Sequence, residues 1–219
     1  METDDAVPRE TVAEGLAREL AGDQAETLAA YAALLRGEGA LRGLIGPRET
    51  GRVWERHLLN SIVLGELLHE GDRVVDVGSG AGLPGIPLAL SAARPQITLL
   101  EPLLRRTTFL ELAVQELHLD PQVTVVRARA ENAPTGQRWP VVTARAVAPL
   151  DALARLTRPL LRPGGRLLAL KGASASQELD AARSSLSAIG FRHGRVVQCG
   201  PPDFRTTVVE LVAGGTARR

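Results

Sequence analysis

The spacing of apolar positions along the chain changes once, near Gly71. Before it the period is helical. Between Gln24 and Arg36, Leu28, Tyr31, Leu34 and Leu35 fall on one face, and Asp23-Gln-Ala-Glu26 reads as a capping box that opens the helix. Gly37 and Gly39 are expected to end it. A second helix is expected from Pro47, a residue favoured at the first helical position, through VWERHLLNSIVLGELL to an exit at Gly71. Residues 1–70 are therefore read as a helical amino-terminal extension.

Beyond Gly71 short β-rich runs alternate with helical stretches. The runs are Arg73 to Val77, Ile97 to Leu100, Val123 to Val126, Val141 to Thr143 and Leu167 to Leu170. Between them Ile86 to Ala93, Leu103 to Leu119, Leu150 to Leu160 and Gln177 to Ile189 are long enough to be crossover helices. Such alternation predicts an α/β fold built from parallel βαβ units over residues 71–219. Two final runs, near Arg195 to Gln198 and Thr206 to Val212, have no helix between them and should pair antiparallel. The expectation is a mostly parallel seven-stranded sheet with an antiparallel last strand.

A chain of 219 residues with 44% apolar content can bury a core without disulfides or metals. Its single cysteine, Cys199, has no internal partner and is read as structural. The opening METDDAVPRE is acidic where a leader would be basic and then apolar, so a cytoplasmic protein is expected. No apolar stretch reaches the ~20 residues of a membrane span. His57, His69, His118 and His193 show no metal-ligand spacing, so no metal is expected.

Net charge is only +1, yet residues 1–100 carry 9 basic and 15 acidic groups while residues 101–219 carry 17 and 10. The second part is thus suited to face a polyanion. With six aromatic residues in all, stacking cannot carry nucleic-acid recognition, and arginine must. In a helix starting at Pro47, Arg48, Arg52 and Arg56 would form a cationic stripe, with a solvated helix face as the equal alternative. Lys171 is the only lysine beside 25 arginines. It follows an apolar run directly, and either drift in composition or chemistry accounts for it.

Open α/β sheets bind ligands beyond the carboxyl ends of their strands. The ionisable residues there are Asp76, Glu101, Arg129 with Glu131, Arg145 and Lys171. The segment Asp76-Val-Gly78-Ser-Gly80-Ala-Gly82 joins the first strand to its helix, and its glycines let backbone pass close under a ligand. Glu101 ends the second strand, 21 residues after Gly80, where a carboxylate can accept both ribose hydroxyls. A dinucleotide fingerprint needs its third glycine one position later, where Leu83 stands. An acid at Asp76 suits the ammonium of a methionine moiety better than a pyrophosphate. S-adenosylmethionine fits this loop better than NAD.

At these residues the sequence resembles the RsmG family, also called glucose-inhibited division protein B, guanine-N7 methyltransferases of 16S ribosomal RNA. The likeness runs from about Arg56 to Leu211. It includes Arg56-His57-Leu-Leu-Asn-Ser61, DVGSGAGLPGIPLAL, Phe109-Leu110, Arg129-Ala-Glu131, Thr143-Ala-Arg145-Ala146, Leu170-Lys171-Gly172 and Arg205. It implies a Rossmann-like class I methyltransferase domain that takes S-adenosyl-L-methionine. By resemblance Gly78, Ser79, Gly80 and Glu101 contact the cofactor, with Gly82, Leu83 and Arg145 around them and Ala130 and Glu131 beside the adenine. Arg129, Arg145, Lys171 and Arg205 would face the guanine or the RNA; the helical spacing adds Arg48, Arg52 and Arg56 to the RNA-binding set with His57 beside them, packing being the alternative role of that histidine. The implied partner is 16S rRNA, within the small subunit or an assembly intermediate, for a monomer that binds no DNA. Three departures stand out: Asn60 where the family has Asp, Arg105-Arg106 for its lysine pair, and Gly43-Leu-Ile near its N-L-T segment.

Guanine N7 carries no proton, so its methylation requires no general base, and positioning should dominate. An arginine clamped onto N7 would occupy the attacking lone pair; Arg145 or Arg129 should instead hold O6 or phosphate. The segment Thr143-Ala-Arg-Ala146 lacks the Asn/Asp-Pro-Pro-aromatic pattern of amine methyltransferases, and Cys199 lies between the last strands, away from the loop. Two alternatives remain open: a small-molecule or protein methyltransferase, and a cofactor-binding ribosome assembly factor without turnover.

Overall fold

Valine and leucine runs, buried on both sides, define the central strands, as parallel sheets require. A computed structural model describes residues 8–133, 138–145 and 148–215. The acidic start METDDAV and Ala146 lie outside these described residues. The strands are β1 (Arg73–Val77), β2 (Gln96–Leu100), β3 (Val123–Val126), β4 (Trp139–Arg145), β5 (Leu161–Lys171), β6 (Phe191–Cys199) and β7 (Thr206–Ala213). Their order in one sheet is β3-β2-β1-β4-β5-β7-β6. The first five run parallel, and β7 runs antiparallel to both β5 and β6. The expected sheet, including its antiparallel last strand, is present. Strand β5 begins at Leu161, earlier than the apolar run suggests, because Leu161 pairs with Trp139 across an irregularity in the ladder.

Alternate residues of each strand enter opposite layers, the two-residue period of a pleated chain. Val74, Ile97, Leu99, Val141, Leu168 and Val208 point into one core, which also holds α4 (Gly85–Ala89) and α5 (Leu104–Glu116). Val75, Leu100, Val142, Leu167 and Val209 point into the other, against α6 (Leu150–Thr157) and α7 (Ala175–Ile189). The order of strands reverses between β1 and β4, so the crevice at their carboxyl ends is where a ligand is expected.

The amino-terminal helices belong to the first layer. These are α1 (Arg9–Ala21) and α2 (Ala25–Leu34), then a broken helix over residues 50–67 in which α3 (Asn60–Ile62) sits between tighter and wider turns. Leu28, Tyr31, Leu35, Trp54 and Leu58 share one continuous core with Ile86, Leu99 and Phe109.

In the amino-terminal helices four boundaries differ from the sequence expectation. The turn Leu35–Gly39 widens to a π-helix and carries the chain past both glycines, with Leu35 and Gly39 buried. That burial offsets a glycine penalty of only about 1 kcal/mol. Asp23 does not cap α2. It sits in a 3-10 turn, Gly22–Gln24, and its carboxylate instead pairs with Arg94. The broken helix starts at Thr50 rather than Pro47, and its chain extends at Leu68, before Gly71. Its free N–H groups at Trp54 and Glu55 are capped from a distance, by the two Glu10 carboxylate oxygens of α1 at 2.9 and 3.0 Å. Among the described residues no helix is long and apolar enough to cross a membrane.

Candidate active site

The loop after β1 is shaped by hydrogen bonds that only an unusual backbone can make. Gly78, Gly80 and Gly82 have φ of 71°, 59° and 94°, in the left-handed region that side chains disfavour. A Cβ at Gly82 would lie 2.5 Å from Ile86 Cδ1 and 3.0 Å from the Tyr31 hydroxyl. Gly78 N–H donates to the Leu100 carbonyl at 2.8 Å, and the Ser79 hydroxyl donates to the Asp76 carbonyl at 2.8 Å. These bonds hold the loop against the ends of β1 and β2.

Glu101 is 1% exposed and locks that arrangement. One carboxylate oxygen accepts Gly80 N–H and the other Leu103 N–H, each at 3.0 Å. Arg106 Nη1 also reaches Oε2 at 3.5 Å, so of the carboxylate's roughly four acceptor positions one stays open to a ribose hydroxyl. Asp76 is fully buried under the loop, where Oδ2 accepts Gly85 N–H at 3.1 Å and Oδ1 has no partner among the described residues. Desolvation pushes its carboxyl up to about 7.

Above the loop opens a cavity of about 640 Å³. Gly78, Ser79, Gly80, Leu83, Glu101, Arg129 and Arg145 line it, together with Leu44, Ile45, Glu49 and His57 from the helical extension. Asp76 and Gly82 lie beneath this surface. Ala130 and Glu131 follow Arg129 in a 3-10 turn, Ala130 buried and Glu131 exposed, outside the lining.

A second cavity of about 320 Å³ adjoins the first and is lined by Glu49, Arg56, Asn60, Arg145 and Lys171 among others. Arg145 and Glu49 belong to both walls. The Arg145 Nη2 lies 2.6 Å from His57 Nδ1, so the ring accepts there and keeps its proton on Nε2. His57 is 3% exposed, and burial with the Arg145 charge lowers its imidazole to about 4. Among the described residues neither Arg145 Nη1 nor His57 Nε2 has a hydrogen-bond partner, although both are buried. The sequence placed His57 with the RNA-binding residues; the structure puts its ring behind Arg145. Lys171 Nζ is held by the Ala148 carbonyl at 2.9 Å and Glu178 Oε2 at 2.8 Å.

The expected arginine stripe does not form, because residues 47–49 make a turn and the following helix has neither an α start nor an α period. Arg52 turns to Glu55, which also binds Arg9. Arg56 alone of the three reaches the second cavity, and Arg48 is exposed on the turn. Arg205 is exposed beside the 3-10 turn Pro202–Phe204, outside both linings. Glu49 lines both cavities, yet no periodic neighbours mark it in the sequence. Tyr31 occupies an apolar position of its helix, and its hydroxyl reaches the loop carbonyl of Ala81 at 2.6 Å.

The residues present fit S-adenosylmethionine. The cavity volume is that of a small-molecule site, the glycines leave room for backbone approach, Glu101 faces it with acceptor capacity, and a carboxylate oxygen without a partner among the described residues lies beneath. The fold is shared with the S-adenosylmethionine-dependent methyltransferase SibL in its apo form, at TM-score 0.59 and 18% identity over 86% of this chain and 70% of that one. It is also shared with Aeropyrum pernix fibrillarin, solved with natively bound S-adenosyl-L-methionine, at TM-score 0.53 and 20% identity over 72% and 75%. Fold and site together are those of a Rossmann-like α/β domain with a cavity that fits S-adenosylmethionine.

Sequence relationships are narrower. The family model GidB, rRNA small subunit methyltransferase G, matches residues 24–207. Ribosomal RNA small subunit methyltransferase G of Streptomyces avermitilis is 55% identical over 90% of this chain and 84% of its own length. That of Mycolicibacterium smegmatis is 53% identical over 82% and 77%. The chain belongs to the rRNA small subunit methyltransferase G family.

Proposed function

We propose that this enzyme methylates N7 of a guanine in 16S rRNA, acting as a cytoplasmic monomer on the small subunit or its assembly intermediate. The observation that carries the reading is the Arg145 guanidinium, fixed by His57 at the junction of the two cavities, with its buried Nη1 unpaired among the described residues. A guanidinium so placed can donate to O6 of guanine and leave the N7 lone pair uncovered. When bound, S-adenosylmethionine supplies an electrophilic methyl on a sulfonium, and N7 has no proton to lose.

In this reading Gly78, Ser79, Gly80, Leu83 and Glu101 hold the donor, Asp76 and Gly82 support the loop from below, and Ala130 and Glu131 close the adenine end. Arg145 orients the base through O6. Lys171 and Arg129 hold the acceptor side, and Arg48, Arg56 and Arg205 contact RNA backbone. Positioning then supplies the rate, worth up to ~7–11 kcal/mol in well-oriented systems. His57 is not a free base here: its one basic nitrogen is taken by Arg145.

The test uses purified small subunits and tritiated donor. Label on one guanine, cleavable there after reduction and aniline treatment and mapped by mass, is the expected result. Label on another atom or base overturns the assignment.

A further inference from the structure

We propose that Glu49 selects the target base, its carboxylate accepting the N1–H and 2-amino N–H of guanine while Arg145 donates from Nη1 to O6. The inference rests on the guanine reading above and deepens it. Glu49 stands at the end of the turn 47–49, and its Oε2 accepts Gly46 N–H at 3.2 Å, which orients the carboxylate from the backbone. Its Oε1 lies 3.7 Å from His57 Nε2. The side chain is 38% exposed, and it faces both the donor cavity and the second cavity. One acceptor group and two buried donors without a partner among the described residues, His57 Nε2 and Arg145 Nη1, therefore converge at the junction. Buried donors without partners are costly, and a ligand acceptor would relieve them.

Among the bases, guanine alone complements this set. Its O6 accepts, and its N1–H and 2-amino group donate side by side. Adenine would oppose its amino group to the guanidinium and its N1 lone pair to the carboxylate. Cytosine fails in the same way. Uracil offers O4 and N3–H, but it sets O2 against the carboxylate. On guanine O6 lies between N1 and N7, so a grip on O6 and the N1/2-amino edge leaves N7 uncovered. Reading an extruded base along its Watson–Crick edge is the general solution for enzymes that act on bases.

The experiment measures single-turnover methylation of small subunits reconstituted with guanine, inosine, adenine or 7-deazaguanine at the mapped position, alongside donor affinity by calorimetry. Inosine lacks only the 2-amino group. Wild type should favour guanine over inosine by roughly five- to 150-fold. In Glu49→Ala the rate on guanine falls and the guanine/inosine ratio collapses toward one, while donor affinity holds. Glu49→Gln, which keeps one acceptor oxygen, retains part of the preference. A wild-type ratio in Glu49→Ala overturns the proposal. So does a fall in donor affinity that matches the fall in rate, which would put the carboxylate on the donor. Methylation of 7-deazaguanine by wild type would instead overturn the N7 reading itself.

Discussion

Tyr31 of α2 donates its buried hydroxyl to the Ala81 carbonyl of the glycine loop at 2.6 Å. Fifty residues of chain separate the two groups, so the helical extension is fastened directly to the floor of the donor cavity. Burial and the nearby Asp76 raise the Tyr31 phenol well above its usual range, which keeps the donating proton in place.

Tyr31→Phe removes that bond and leaves the Ala81 carbonyl without its partner. The expected loss is about 1–3 kcal/mol of folding stability, read by denaturant titration, together with weaker donor binding by calorimetry. Unchanged donor affinity would separate the loop from the extension.

Gly78→Asp tests the loop from the cavity side. Aspartate tolerates a φ of 71° better than most residues, so the fold should persist. Its side chain would enter the space the donor needs, and donor binding should be lost. A circular dichroism spectrum like wild type with intact affinity would remove Gly78 from the site.

Arg145→Ala is expected to lower methyl transfer by about 10²-fold and donor affinity far less, because its Nη1 serves the acceptor. Lys171→Ala should show the same inequality. Equal losses in both quantities, for either variant, would count against an acceptor-side role. His57→Asn keeps an acceptor near the Nδ1 position and should retain more turnover than His57→Leu, since Arg145 needs a lone pair to rest on.

Two buried groups give opposite pH signatures. Asp76 is raised to about 7 from 3.8, so the stability it contributes is full below pH ~4 and is lost as pH rises through about 7. His57 is lowered to about 4 from 6.5, so its contribution is full above pH ~6.5 and is lost as pH falls through about 4. Asp76→Asn should therefore gain stability relative to wild type between pH 4 and 7, at a limiting slope of about 1.4 kcal/mol per pH unit. A difference independent of pH would show that Asp76 does not titrate in that window.

The strands were legible because a buried parallel sheet writes itself as short valine and leucine runs, and Val74 to Val77 or Leu167 to Leu170 need no context to be read. The donor loop was legible for a related reason. Glycine at three alternate positions, with Glu101 at the next strand end, meets a backbone requirement that few other sequences satisfy. What was lost depends on distance in sequence. Nothing near Trp54 announces that Glu10 caps its helix, and nothing near Gly37 reveals that Phe109 waits beyond the next turn to cover Gly39. An ideal helix would align Arg48, Arg52 and Arg56; the actual chain passes through 3-10 and π turns, and Glu55 captures Arg52. Glu49 lies on a turn, where period carries no information at all.

Strand β7 is the last of the sheet in chain order, yet it sits between β5 and β6. During vectorial synthesis β6 therefore emerges with no neighbour to join and must wait, its ladder unpaired, until Thr206–Ala213 leaves the exit tunnel. Completion of the sheet is thus postponed to the final stretch of translation, and a nascent chain halted before Thr206 would present two open ladders, on β5 and on β6, to whatever stands nearby.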